Sequence, residues 1–180
     1  MALALVPGQA ERYSTFTLGG EHYAVPESCV RKVLRDVAVT HVAAAPRFMR
    51  GAIDVDGKAV PVVDLGSRLG QAFRSTAART VIFIVEVLRD GQPMLLGLTA
   101  DAVGQQVHLG ARDVVAAPSF GTTSPMDSFI AGMGRHGDGL VLLLDVDRLL
   151  SSSELLAVEE FAAVADLKSE PSGSRNLRSV

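Results

Sequence analysis

One pattern occurs twice in the 180-residue chain and limits its possible folds more than any other feature. The first copy runs from Phe48 to Asp64, and the second runs from Phe129 to Asp145. Phenylalanine and aspartate are sixteen residues apart in both copies, and a glycine lies thirteen residues before each aspartate. Each copy is typical of a strand, a turn with Asp and Gly, an apolar strand and an aspartate-capped short helix. The repeat predicts two tandem β-barrels that pack as one cooperative unit, because neither half is large enough to bury a comfortable core.

A predicted pair of strands precedes each copy, at residues 12–25 and 81–99. Gly19-Gly20 is typical of a hairpin turn in the first pair, since glycine tolerates positive φ. The unbroken β-branched run Val81–Val87 in the second pair favours a strand that is buried on both faces. Low aromatic content, at 5%, means that the core is aliphatic.

Between the first strand pair and the first repeat copy, the sequence predicts one short helix. Pro26 suits the first turn of a helix, where its missing N–H costs nothing. Val30, Val33 and Leu34 then have the i, i+3, i+4 spacing of an apolar helix face. Residues 37–42 are predicted to form a further strand.

The chain ends are predicted to differ from the β-rich middle. Ser151 and Glu154 have capping-box spacing, which predicts a helix over residues 151–167 with one apolar face. Residues 168–180 are rich in Ser, Gly, Arg and Asn and are predicted to be a disordered tail. Residues 1–11 are predicted to be a flexible N-terminus.

Charge and cysteine content exclude several functional classes. A formal net charge of -3 provides no positive field for a nucleic-acid backbone. The lone Cys29 cannot form an internal disulfide, which favours a reducing, cytosolic setting. No apolar run approaches the eighteen residues of a membrane span.

Candidate catalytic groups are few, so a binding module is a stronger hypothesis than an enzyme. The four histidines have no metal-ligand spacing and are predicted to lie on the surface or in turns. Cys29 is predicted to be a buried structural thiol, although it would be a candidate nucleophile if a histidine converged on it. No catalytic residue, cofactor or metal site is therefore predicted. The histidines are His22, His41, His108 and His136.

Several segments in order resemble the CheW chemotaxis coupling proteins. They include FTLGGEHY at residues 16–23, PRFMRG at 46–51, GKAVPVVDL at 57–65 and LLDVDRLL at 143–150. The resemblance implies a mainly β fold of two intertwined five-stranded SH3-like barrels with short helices and a C-terminal helix. It covers a CheW-like domain at residues 12–150, with barrel halves at roughly 12–78 and 79–150.

The resemblance also implies a function. It implies a non-catalytic cytoplasmic adaptor that couples the cytoplasmic tip of a methyl-accepting chemoreceptor to the regulatory domain of a CheA-type histidine kinase. Such adaptors are recruited to receptor arrays at the inner membrane, with other CheW-like domains as additional candidate partners. Neither nucleic acid nor direct membrane insertion is expected. The alternative is a regulator of the same fold that binds only the kinase or another partner, and an enzyme or small-ligand pocket between the barrels is a third hypothesis.

By position, the family's receptor-binding surface corresponds to five valines and two charged residues. The valines would form an apolar groove for a helical receptor tip, or half of them would simply belong to the core. The positions are Val30, Lys32, Val33, Val39, Asp56, Val81 and Val103.

Two of these positions depart from the family pattern in charge. Lys32 stands where the family usually has an acidic residue, and Asp56 stands where it usually has arginine. We hypothesise that the two side chains form an ion pair of reversed polarity, with independent drift as the alternative. Such a pair would orient a partner and favour a receptor with altered charge.

Overall fold

The computed structural model describes residues 10–43, 45–71, 81–116 and 128–169, with side chains up to residue 166. Most of the predicted N-terminus and tail, residues 1–9 and 170–180, lies outside this part of the chain. Within it the protein is mainly β, as predicted, with short helical turns and one long C-terminal helix. The strands are β1 (Glu11–Leu18), β2 (Glu21–Pro26), β3 (Val30–Arg35), β4 (Met49–Val55), β5 (Lys58–Val63), β6 (Val81–Arg89), β7 (Gln92–Ala100), β8 (Ala102–Leu109), β9 (Val114–Val115), β10 (Ile130–His136) and β11 (Gly139–Leu144).

The strands form two sheets, and each sheet takes strands from both halves of the chain. The first sheet has the order β8-β1-β2-β11-β10-β9, and the second has the order β3-β6-β7-β5-β4. Parallel pairing of β2 with β11 and of β5 with β7 joins each strand pair to the distant repeat copy. The tandem connectivity predicted from the repeat is therefore wrong, because each strand pair completes the other half's sheet. The intertwined arrangement that the family resemblance implied is the one observed. The first sheet has six strands because the two-residue β9 adds to its edge.

The predicted helix after Pro26 is wrong. Glu27–Cys29 forms a single 3-10 turn, and the following residues, Val30–Arg35, are strand β3, which pairs antiparallel with β6. Valine is stiff at χ1 and fits a pleated surface, and the β6 edge offers a ladder that outweighs the helical spacing. The strand predicted at 37–42 is reduced to one bridge between Thr40 and Ala52.

The two repeat copies adopt the same local structure. The Phe48 carbonyl accepts a hydrogen bond from Asp64 N at 2.8 Å, and the Phe129 carbonyl accepts one from Asp145 N at 2.9 Å. Asp64 Oδ1 accepts from Ser67 N at 2.9 Å and caps helix α1 (Leu65–Arg68). Asp145 caps a 3-10 turn in the same way. The prediction that both aspartates are helix caps is confirmed.

One apolar cluster, which we call the inter-sheet core, lies between the sheets. Phe16 from β1 and Phe83 from β6 contact each other there with ring centroids 5.1 Å apart, and both are buried. Smaller clusters lie within each sheet, around Tyr13 in the first and around Ile82 in the second. The two sheets therefore share their largest buried surface, which agrees with one cooperative unit.

Helix α2 (Ser152–Ser169) follows the second repeat copy and packs on the β strands. The predicted capping box forms, since Ser151 N donates to Glu154 Oε2 at 2.8 Å and Glu154 N donates to Ser151 Oγ at 3.3 Å. The helix ends at Ser169, two residues beyond its predicted end at 167. None of the helices described is long and apolar enough to cross a membrane. The residues of α2 that lie in the inter-sheet core are Leu155, Val158, Phe161 and Ala165.

Candidate functional site

The charge-reversed pair predicted from the sequence is present in the structure. Lys32 Nζ lies 3.3 Å from both carboxylate oxygens of Asp56. Lys32 is on β3 and Asp56 is in the β4–β5 turn, so the ion pair joins the two opposite ends of the second sheet. Both side chains are exposed, at 48% and 80%, and an exposed pair contributes only about 0–1 kcal/mol to stability. The pair therefore orients charges on a surface more than it holds the fold together.

The position of Asp56 follows from a tight hairpin turn. Asp56 and Gly57 both have positive φ, at 53° and 83°, as a two-residue turn between twisted antiparallel strands requires. Gly57 N donates to Asp54 Oδ1 at 3.1 Å, which fixes the turn from within. The hairpin signal in the sequence thus predicts where this carboxylate is displayed.

A second ion pair, which the sequence interpretation missed, lies beside the first. Arg31 donates to Glu86 through Nε at 3.1 Å and through Nη2 at 2.8 Å, and its Nη1 donates to Ser28 O at 2.9 Å. The hydrogen bond and charge of Glu86 raise the pKa of Arg31, so the guanidinium stays charged. Glu86 is the one charged residue within the apolar run Val81–Val87, and that interruption is the signal that could have revealed it.

An open groove of about 410 Å³ lies between the two ion pairs. Its walls carry the four charged side chains, and its remaining lining is apolar. Apolar surface with charged groups at its edge is the usual composition of a protein-docking site. The apolar lining residues are Val55, Ile84, Pro93 and Leu95.

The five valines of the predicted surface differ in exposure. Val33 is exposed at 37%, whereas Val81 is buried at 6% within the inter-sheet core. Val30 and Val103 are half-buried and pack against that core from different sheets. Val39 packs against the apolar cluster around Ile82 in the second sheet. The structure thus exposes Val33, Lys32 and Asp56 and buries Val81. Val33 and Lys32 lie on opposite faces of β3, since Val33 is opposite Phe83 and Lys32 is opposite Ile84.

The groups considered for catalysis occupy unremarkable positions. All four histidines are exposed, and Asp64 and Asp145 are engaged as caps. No cluster of three or more potential metal ligands occurs among the described residues. Cys29 is half-buried, and its Sγ lies 3.0 Å from Pro26 O.

We expect Cys29 to react slowly with alkylating reagents near neutral pH. Burial, with a smaller contribution from Asp147, raises its pKa to about 12, and only the thiolate is nucleophilic. The rate of iodoacetamide modification should rise with pH between 7 and 10 and stay at least about tenfold below that of the unfolded chain. Mass spectrometry of timed samples checks this, and rapid labelling of the folded protein at pH 7 would contradict it.

The fold and this site define a β-rich protein-binding module in which two interwoven sheets display a charge-bordered groove. The sequence model of the CheW-like domain family matches residues 12–154 of this chain. The chain therefore belongs to the CheW-like domain family, and the resemblance stated above is confirmed. This is a family of non-catalytic adaptors, so the chain is an adaptor and not an enzyme.

Individual relatives agree with that assignment. The chemotaxis protein CheW of Klebsiella aerogenes is 31% identical over 152 residues, covering 84% of this chain and 89% of the relative. The chemotaxis protein CheW of Rhizobium meliloti is 26% identical over 139 residues, with 77% and 86% covered. The crystal structure of the scaffolding protein TtCheW from Thermoanaerobacter tengcongensis matches with a TM-score of 0.70 and 28% identity. It covers 82% of this chain and 99% of that one.

Proposed function

We propose that this protein is a cytoplasmic chemotaxis adaptor that couples a chemoreceptor to a CheA-type histidine kinase. Its partners would be the cytoplasmic tip of a methyl-accepting receptor and the regulatory domain of the kinase. Two relatives are named chemotaxis proteins, and the structural neighbour is named a scaffolding protein, which supports this proposal. Recruitment to receptor arrays at the inner membrane would then depend on those partners.

The observation that carries the proposal is the surface around β3. Lys32 lies on the edge strand β3, and its ion pair with Asp56 spans the ends of the sheet. The apolar groove between the Lys32 and Arg31 ion pairs continues this surface. We call these features together the β3 docking surface: the two ion pairs Lys32–Asp56 and Arg31–Glu86, and the groove between them. Val33 is exposed on the opposite face of β3 and is not part of it. A helical receptor tip would place an apolar face on such a surface and match its charges at the edge.

The direct test is binding of each partner separately. The full chain should retain both a receptor signalling tip and a kinase regulatory domain in pull-down, and all three should co-elute in size exclusion. Binding to the kinase domain alone would contradict coupling and favour the alternative regulator. Binding to neither would overturn the proposal.

The polarity of the ion pair should determine which receptor is bound. Lys32→Glu and Asp56→Arg each leave two like charges facing each other, so each should weaken receptor binding about fivefold to tenfold. The double variant restores an ion pair of opposite polarity, and its thermal stability should return to that of the unchanged protein. Its affinity for the cognate receptor should stay low, because the charges presented to that receptor are inverted.

Calorimetry and thermal unfolding measure the two quantities on the same samples. Arg35→Glu, at an exposed position at the end of β3, serves as a control for a charge change on the same strand. If the double variant binds the cognate receptor as well as the unchanged protein, the polarity of the pair has no role in specificity.

A further inference from the structure

Helix α2 supplies a hydrogen-bond acceptor to the β4–β5 hairpin. Ala59 N donates to Asp166 Oδ1 at 2.7 Å, across 107 residues of sequence. Ala59 lies near the start of β5, which pairs with β7 only at Val62 and Val63. The carboxylate of Asp166 lies on the side of β5 opposite β4. There it accepts the hydrogen bond that a carbonyl of a neighbouring strand would accept in a complete sheet.

A gap between the strands explains why this contact matters. The first residues of β5 and β7 border an open groove of about 530 Å³, and α2 lines its other wall with Glu159, Ala162 and Asp166. Pro61 is tolerated in β5 at this gap, since proline has no N–H to leave unpaired. Within the gap, the hairpin is held to the helix by the bond to Ala59.

The turn next to Ala59 is part of the β3 docking surface. Only Gly57 and Lys58 separate Ala59 from Asp56, and the turn adopts a fixed two-residue geometry. Asp56 in turn contacts Lys32 on β3. The turn end of the hairpin is thus attached to α2 through Ala59 and to β3 through Asp56, with the stiff turn between the two attachments.

We propose that Asp166 is a positioning residue that sets where Asp56 stands on the β3 docking surface. Through this contact the C-terminal helix determines the geometry of a surface formed by strands early in the chain. The consequence for receptor affinity rests on the proposed function, whereas the positioning of Asp56 does not. A displacement of α2 would loosen the Lys32–Asp56 pair and weaken binding at that surface.

Three variants of the full chain test the proposal. Asp166→Ala removes the acceptor, and Asp166→Asn removes the charge but keeps an oxygen that can accept from Ala59 N. Glu160→Ala, at an exposed carboxylate on the same helix, is the matched control. Amide hydrogen exchange at Ala59, Gly57 and Val25 is measured, followed by affinity for a receptor signalling tip.

We expect Asp166→Ala to raise exchange at Ala59 and at Gly57 by about fivefold or more, with no change at Val25 in the first sheet. Receptor affinity should fall about fivefold, and Asp166→Asn should recover most of both losses. Glu160→Ala should change none of these values. A uniform rise that includes Val25 would indicate general destabilisation and would overturn the proposal.

Two other results separate this inference from the proposed function. Faster exchange at Ala59 with unchanged exchange at Gly57 would show that the turn does not depend on the helix, and would overturn the positioning role. If the unchanged protein does not bind the receptor tip, the proposed function fails, and the exchange at Gly57 still decides whether Asp166 positions the turn.

Discussion

Replacing Gly51 by alanine should lower the free energy of unfolding by about 3 kcal/mol, through a clash that the surrounding backbone cannot relieve. A Cβ atom at this position would lie 2.1 Å from the carbonyl oxygen of Thr40, and Gly51 has a φ of +147°. The obstructing atom is held in place, because Thr40 and Ala52 exchange hydrogen bonds of 2.9 and 3.0 Å. Relieving the clash would break that bridge. Urea unfolding followed by circular dichroism gives the change.

The repeat provides a matched control at Gly132. This residue has the same place in the second copy, yet a Cβ there would meet the carbonyl oxygen of Val115 at 3.0 Å, without positive φ. Gly132→Ala should therefore cost about 1 kcal/mol. Equal losses from the two substitutions would show that the approach of Thr40 is not what requires glycine at position 51.

These glycines show what the sequence repeat encodes. In each copy the strand has a register shift just before the glycine, between Met49 and Gly51 and between Ile130 and Gly132. A neighbouring segment approaches the backbone at that shift. The matched spacing thus reflects the close approach of a neighbouring backbone to the glycine in each copy. The same spacing predicted both hairpins and both aspartate caps, because these depend on residues that are near each other in sequence.

Features that depend on distant pairing were not predictable in the same way. No feature of the sequence near β2 indicates that this strand pairs with β11 of the second repeat copy and not with the first copy. The parallel contact comprises two register pairs, which is too short to leave a sequence signal. Strand β8 has no predicted counterpart because Gly104, Gln105 and Gln106 interrupt its apolar alternation. The helix predicted from Pro26, with Val30, Val33 and Leu34 on one face, was wrong because pairing with β6 outweighs the helical spacing of these residues.

The candidate docking residues also differ in how far the sequence predicts them. The approach of Lys32 and Asp56 could be predicted, because two charges that depart together from a family pattern indicate contact. The exposure of the valines could not be predicted, since Val33 and Val81 have the same side chain. The register between β3 and β6 puts both on the same face of the sheet, with Val33 opposite Phe83 and Val81 opposite Arg35. Val33 is exposed because β3 is an edge strand, whereas β6 has a neighbouring strand on both sides.

Truncating Phe83 to alanine should lower the free energy of unfolding by about 3–4 kcal/mol while leaving a single unfolding transition. The ring is 1% exposed in the second sheet and lies 5.1 Å from that of Phe16, which is equally buried in the first. Because each sheet contains strands from both halves of the chain, neither can lose its partner and remain folded. Phe16→Ala should therefore have a similar cost and destabilise both sheets together.

Two-dimensional NMR through a urea titration distinguishes cooperative from independent unfolding. Amide signals of Ala24 in the first sheet and Val62 in the second should disappear at the same urea concentration in the unchanged protein and in both variants. Leu88→Ala, at a position 46% exposed on the same strand as Phe83, should cost less than about 0.5 kcal/mol. If Ala24 keeps its native signal at urea concentrations that unfold Val62, the sheets are separate units. The pairing of strands from both halves of the chain would then connect the two sheets without making their unfolding cooperative.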